Sequence, residues 1–159
     1  MDYPQRFDEK KFGERLTDLI LDKEINVPGL SKAICVAESI IHRWRKNIST
    51  PCFKHLIRVA DYFQCSLDYL VGRKGDDDES HAVQKFKECP PFCERLKHFI
   101  ELEKLSVKVS VNKICKNAKV ARYAFTGFLD GSRHPLIENL VKLADYFDCS
   151  IDNLVGRER

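Results

Sequence analysis

The chain has 159 residues, a hydrophobic fraction of 43% and a net charge of +3 at pH 7, which is ordinary for a soluble globular protein. It contains no apolar run long enough to span a bilayer, and its polar start, MDYPQRFDEKKF, lacks the apolar core of a signal peptide. We therefore expect a cytoplasmic protein with no membrane partner.

A fifteen-residue stretch occurs twice and sets the domain count. The copies read VADYFQCSLDYLVGR (59–73) and LADYFDCSIDNLVGR (143–157), and they are identical at eleven positions with an offset of 84. Nearer the start of each copy the offset falls to 80, so the second copy carries four extra residues within 103–110. A long period that is present only twice predicts tandem domains rather than a solenoid.

We predict a first domain over residues 1–73, an acidic linker over 74–85 and a second domain over 86–159. The linker contains the charged run GDDDES, a composition that does not favour packing.

In the first domain, apolar residues at helical spacing predict a first helix over 12–24. Asn26 is expected to cap a second helix, and Ser66 a final helical turn that Gly72 ends. The remaining predicted helices are 27–34, 37–46 and one that Pro51 opens.

The second domain repeats this plan, with Ser110 in the capping place of Asn26 and Pro135 opening the fourth helix. Its other predicted helices are 92–104, 111–118 and 121–130. The extra residues 105–109 predict either a longer first helix or an extended loop. Because no segment shows sustained alternation with a period of two, the fold is expected to be all-α.

Positive charge is concentrated in matching parts of the two copies. Residues 27–54 hold five Lys or Arg against one Glu, and residues 111–135 hold five against one Asp, a net charge of +4 in each. Focused positive charge favours a polyanion as partner. Two solvated helical faces would have the same composition, so this alternative stays open.

The same segments read VAESIIHRWRKNISTP (36–51) and VARYAFTGFLDGSRHP (120–135). Together with the repeated tail, they resemble the lambda-repressor-like (Cro/cI, or XRE) helix-turn-helix family. The resemblance implies two tandem five-helix DNA-binding domains, double-stranded DNA as partner, transcriptional regulation and no cofactor. A homodimer is an open further possibility.

A helix that reads the major groove needs an apolar face to anchor it and polar or cationic side chains opposite. In the first copy, Ile41 and Trp44 are the expected anchors, Arg43 is the candidate for bidentate recognition of guanine, and Glu38 for accepting from cytosine. In the second copy, Phe125 and Phe128 are the expected anchors. The full set of predicted DNA-binding residues is Glu38, Ser39, His42, Arg43, Arg45, Lys46, Arg122, Tyr123, Thr126 and Arg133.

Within this set, Arg45, Lys46 and Arg133 are predicted to contact phosphate. Gly127 takes the place of Arg43 in the second copy, so this position has no base-reading side chain. The chain also departs from the family pattern at three pairs of positions: Val27 and Val111 where Gln is usual, Cys35 and Lys119 where the turn often has Gly, and Ala37 and Ala121 where Ser or Thr caps the helix.

These departures motivate a second hypothesis, a protein-protein interaction or dimerisation module that keeps the fold while at least one copy does not read DNA. An enzyme is not expected, because the sequence has no Gly-rich phosphate loop, nucleophile elbow or His-Glu metal motif. The seven cysteines favour buried thiols. Cys89 and Cys93 have metal-ligand spacing but no second pair, so no metal site is predicted.

Overall fold

The computed structural model describes residues 9–73, 88–106 and 109–157, and the chain divides into two compact units, Met1–Lys85 and Phe86–Arg159. The described residues form ten α-helices and no β-strand, which confirms the all-α prediction. None of the described helices has the length and apolarity needed to cross a membrane. The predicted acidic linker over 74–85 lies outside the described residues.

The first unit packs its helices around Leu16, Leu30, Ile41, Leu56 and Leu70, none of which exposes any surface. The helices are α1 (Glu9–Asp22), α2 (Val27–Ile34), α3 (Glu38–Arg45), α4 (Phe53–Phe63) and α5 (Leu67–Leu70).

Two of the predicted caps in the first unit are confirmed. The side chain of Asn26 accepts from the Gly29 amide at 2.8 Å, and that of Ser66 accepts from the Tyr69 amide at 3.1 Å. Each satisfies a backbone donor that the first turn of a helix leaves without a partner.

The predicted bounds of α1 were wrong at both ends, because the helix begins three residues earlier and ends two residues earlier. At its end the Glu24 amide donates to Leu21 O and the Ile25 amide to Ile20 O, with Glu24 in the left-handed region at φ 51°. This hydrogen-bond pattern closes a helix whatever apolar residues follow it.

The prediction that Pro51 and Pro135 open helices is wrong. The fourth helix of each unit starts two residues later, after the extended residues Cys52 and Leu136. Both proline rings are buried, so they pack into the core as part of the loop before the helix.

The second unit buries a corresponding core, which includes Leu96, Ile114, Phe125, Leu140 and Leu154. Its helices are α6 (Phe92–Ser106), α7 (Val111–Ala118), α8 (Arg122–Asp130), α9 (Ile137–Tyr146) and α10 (Ile151–Val155). Ser110 caps α7 by accepting from the Lys113 amide at 3.3 Å, as predicted. The extra residues lengthen α6 as far as Ser106, and 107–108 lie outside the described residues.

The sequence repeat is also a repeat of unusual backbone conformation. Four positions with positive φ in the first unit have partners with positive φ exactly 84 residues later in the second. The pairs are Cys35 and Lys119 (54° and 56°), Asn47 and Gly131 (55° and 78°), Gln64 and Asp148 (53° and 49°), and Gly72 and Gly156 (74° and 79°). The two units therefore place their turns at equivalent points, although most of these residues are not glycine.

The repeated tail ends each unit with an ion pair between an arginine and a buried aspartate. Arg73 Nη1 lies 2.6 Å from Asp68 Oδ1, and Arg157 Nη1 lies 2.6 Å from Asp152 Oδ1. Arg157 is fully buried, whereas the side chain of Arg73 keeps 16% of its exposure. These contacts explain the conserved spacing of Asp and Arg within the repeat as a structural feature.

An arginine joins the first and last helices of each unit, buried in the first unit and half-buried in the second, with different partners. Arg15 Cζ lies 4.4 Å from the centre of the Tyr69 ring. Arg95, its equivalent at an offset of 80, donates to the Asn153 carbonyl oxygen at 2.6 Å. Asn153 is the counterpart of Tyr69, so an amide whose Oδ1 accepts from Arg95 at 3.2 Å stands where the first unit has an aromatic ring.

Candidate nucleic-acid interface

The turn between α2 and α3 begins with Cys35, the first residue after the helix, in the left-handed conformation. The Cys35 amide donates to Ser31 O, and the Ser31 hydroxyl donates to Val36 O at 2.7 Å. Val36 is buried, which fixes the turn against the core. Lys119 has the same conformation between α7 and α8. The turn therefore has the backbone geometry that usually favours glycine, although glycine is absent from both.

The anchors of α3 lie in the core, as the sequence predicted. Ile41 and Trp44 are at most 1% exposed, and the Trp44 ring packs edge-on against Phe12 of α1 with 6.1 Å between ring centres. His55 of α4 packs on the other side at 5.8 Å. Burial, together with the charges of neighbouring basic residues, lowers the pKa of His55 below its usual value.

The second unit anchors α8 in the same way. Phe125 and Phe128 are at most 2% exposed, and Phe128 packs edge-on against Phe92 of α6 with 6.2 Å between ring centres. Both helices are therefore fixed to the first helix of their unit by an aromatic contact at the same position of the repeat. This contact determines which face of each helix is left to the solvent.

The outward face of α3 carries most of the predicted contacts of the first unit. Exposed side chains there and at the helix end are Glu38, Ser39, His42, Arg43 and Lys46. Arg45 differs from this set, because it is half-buried and its Nε donates to Thr17 Oγ1 of α1 at 3.3 Å. The structure thus brings five of the six predicted residues of this unit to one exposed surface and turns Arg45 back towards α1.

The outward face of α8 is built differently. Arg122, Tyr123 and Thr126 are exposed, and 69% of the Tyr123 surface is accessible. The Thr126 hydroxyl donates to Arg122 O at 3.0 Å. Arg133, in the loop after α8, also belongs to this exposed surface, because its Cζ lies 5.4 Å from the centre of the Tyr123 ring.

The loop after α8 is held close to the helix. The Arg133 amide donates to Gly127 O at 3.0 Å, and the Ser132 amide donates to Asp130 Oδ1 at 2.8 Å. Hydrogen bonds from Ser132 and the nearby charge of Arg133 lower the pKa of Asp130. These two hydrogen bonds fix the backbone of the loop at Ser132 and Arg133, next to α8.

Neither α3 nor α8 has a side-chain cap. Ala37 and Ala121 precede these helices in extended conformations and make no capping hydrogen bond. Val27, at the place where the family often has Gln, is buried at the start of α2. In the structure, these departures from the family pattern are two helices without a side-chain cap and one buried valine.

Two residues that shape this surface were not singled out from the sequence. A Cβ added to Gly13 of α1 would lie 2.5 Å from Trp44 O, so this position accepts only glycine unless α3 shifts. Arg58 of α4 donates from Nη1 to Ile34 O at 3.2 Å, at the carboxyl end of α2. Gly13 lies within a helical pattern, where a glycine that has no other explanation is a sign of close backbone approach.

The cysteines do not form a metal centre in the described part of the chain, where no three His, Cys, Asp or Glu side chains lie together. The prediction of buried thiols holds for Cys65 and Cys115 and is wrong for the others: Cys35 and Cys52 are exposed, and Cys89, Cys93 and Cys149 are half-buried. Cys93 packs towards the carboxyl end of α8, since a Cβ on Gly131 would lie 3.6 Å from its Sγ. The position of Cys93 is therefore explained by the packing of α6 against the end of α8.

Comparison with protein-family models, with curated proteins and with solved structures gives no match to this chain. What the surface of α3 and α8 does must therefore be argued from its residues and their geometry.

Proposed function

We propose that the chain is a sequence-specific DNA-binding transcriptional regulator with two tandem five-helix domains of the lambda-repressor-like type. One observation carries this proposal: in each unit a short helix follows a left-handed turn, buries two large side chains and leaves an exposed face of polar and cationic residues. Helices fixed in this way suit insertion into the major groove, because the anchor holds their orientation while the opposite face meets base edges.

The dimensions and the charge of α3 agree with this role. An α-helix with its side chains has a diameter of about 10–12 Å, which matches the width of the major groove, about 12 Å. Arg43 lies on the exposed face, where its guanidinium can donate two hydrogen bonds to a guanine edge. Lys46 is exposed at the end of the helix, a position from which it can contact a phosphate.

Selection from a random pool of DNA with the intact protein tests the proposal directly. We expect an enriched motif in two parts, one lost with Arg43→Ala and the other altered with Arg122→Ala. Failure of the unmodified protein to enrich any sequence would refute the proposal.

A contrast between Arg43 and Lys46 separates base reading from phosphate contact. Arg43→Ala should weaken binding at the preferred site by about 1–3 kcal/mol and relax the base preference there. Lys46→Ala should weaken binding to all sequences alike and reduce the dependence on salt by about one phosphate contact. Titrations at several salt concentrations measure both effects, and an unchanged affinity of Arg43→Ala would remove it as a base-reading residue.

A second candidate function is an interaction or dimerisation module. The missing caps at Ala37 and Ala121 favour it, together with the exposed apolar surface of Ile40 and Tyr123. Sedimentation and binding to random DNA distinguish the two: a protein that binds DNA no better than a neutral control, while pairing with itself or with a partner protein, would favour this second function.

A further inference from the structure

Arginine and a small residue exchange places between the recognition surfaces of the two units. In the first unit, Arg43 stands on the outward face of α3 and Ser49 in the following loop. In the second unit, the equivalent positions at an offset of 84 hold Gly127 in α8 and Arg133 in the loop. At this pair of positions each unit holds one arginine, but the arginine comes from a different element.

The side chain of Arg133 occupies the space in which a side chain at position 127 would begin. A Cβ added to Gly127 would lie 2.7 Å from Arg133 Cδ, 2.8 Å from its Cγ and 3.0 Å from its Cβ. All three of these nearest atoms belong to Arg133. The absence of a side chain at Gly127 therefore makes the room in which the methylene groups of Arg133 cross α8.

The guanidinium of Arg133 is positioned at the other end of this path by Tyr123. Its Cζ lies 5.4 Å from the centre of the Tyr123 ring, within the range of a cation–π contact. Its backbone is fixed as well, by the hydrogen bond from its amide to Gly127 O at 3.0 Å. A side chain that is held at both ends over the outward face of a helix loses less freedom when it binds, which favours specific recognition.

We propose that Arg133 is the base-reading arginine of the second unit and takes from the loop the role that Arg43 has in the first. This inference rests on the proposed function, and it changes the expectation from the sequence that Arg133 contacts phosphate. The ligand is a guanine edge in the major groove, the acceptor pair that a guanidinium binds with two hydrogen bonds.

The test is selection from a random DNA pool with the intact chain and four variants. Arg133→Ala should reduce the preference for guanine at one position of the second half-site by roughly 5- to 150-fold, and Arg133→Lys should do the same although it keeps the charge. Gly127→Ala should also weaken the preference, because its Cβ displaces Arg133 without removing it. Gly127→Arg combined with Arg133→Ser gives the second unit the arrangement of the first, and it should restore a guanine preference.

Protein stability separates these effects from misfolding. Gly127→Ala replaces a glycine within a helix, so its urea midpoint should be equal or higher, while its preference for guanine falls. If Arg133→Ala lowers affinity evenly across sequences and leaves the motif unchanged, Arg133 is a phosphate contact and this assignment is overturned while the proposed function stands. If the unmodified chain enriches no motif, the proposed function fails, and this assignment fails with it.

Discussion

The turn that positions α3 offers a quantitative test of the backbone geometry. Cys35 has φ 54° and ψ 50°, a conformation that costs a residue with a side chain about 1–2 kcal/mol. Glycine removes this cost but gives the unfolded chain more freedom, an opposing effect of about 0.4–1 kcal/mol. The Cys35 side chain is exposed, and its Sγ makes one long contact, to Lys32 O at 3.8 Å. We therefore expect Cys35→Gly to stabilise the first unit by about 0.5–1 kcal/mol.

Urea unfolding followed by tryptophan fluorescence measures this change in the first unit alone, because Trp44 is the only tryptophan of the chain and lies in the core of that unit. For a unit of this size the free energy of unfolding falls by about 1 kcal/mol per molar urea. The midpoint should therefore rise by about 0.5–1 M in Cys35→Gly.

Ala33→Gly is the matched control, since Ala33 is also exposed but lies inside α2, where the backbone is helical. Glycine at that position should lower the stability by about 1 kcal/mol. The two variants introduce the same residue two positions apart and should move the midpoint in opposite directions. A lower midpoint in Cys35→Gly would refute the left-handed turn. In the second unit, Lys119→Gly changes the equivalent turn, and Lys116→Gly, inside α7, is its control. Both variants lose one positive charge, and amide hydrogen exchange measures the stability of this unit.

Three further predictions concern contacts that differ between the units. Because the pKa of His55 is lowered from 6.5, the unfolded chain takes up its proton more readily than the folded one, so the stability of the first unit should fall as the pH drops below that value. His55→Asn should reduce this fall in urea titrations at about pH 7.5 and about pH 5.5, and an equal fall in both proteins would contradict the explanation. Gly13→Cys should destabilise the first unit by about 1–3 kcal/mol. Because a Cβ at position 13 would meet the Asn47 side chain, adding Asn47→Gly to the same chain should recover part of that loss. Additive effects of the two substitutions in a double-mutant cycle would argue against this coupling. Arg157→Leu should destabilise the second unit by about 3–5 kcal/mol. Arg73→Leu should destabilise the first unit by less, because Arg157 is fully buried and Arg73 is not. Amide hydrogen exchange measures the stability of each unit, and equal losses in the two would count against burial as the cause.

Local signals in the sequence were enough to place some elements to the residue. The bounds of α2 and α7 agree with the prediction at both ends, and the starts of the two helices follow from Asn26 and Ser110, which cap them with side-chain oxygens. The burial of Trp44 and Phe128 followed from helical periodicity alone. Such features depend on residues that lie within one or two helical turns of each other, and periodicity describes that range well.

Features that depend on distant residues were not predictable in this way. The half-buried position of Arg45 follows from Thr17, which lies 28 residues earlier and accepts its hydrogen bond. The path of Arg133 follows from the missing side chain at Gly127 and from the ring of Tyr123. In the sequence both arginines are basic residues near a helix end, and nothing nearby in the chain indicates these tertiary contacts.

At two pairs of contacting positions, the larger residue lies on one element in the first unit and on the other element in the second. On α1 and in the turn after α3, Gly13 lies against Asn47, whereas the second unit has Cys93 against Gly131, so the larger residue has moved to the other element. The arginine of the recognition surface has moved in the same manner, from helix to loop. A shift of this kind keeps the packing and the charge of each unit but changes the direction from which a guanidinium approaches the groove. Under the proposed function, we therefore expect a site composed of two unlike half-sites, and an enriched motif with two identical halves would contradict this expectation.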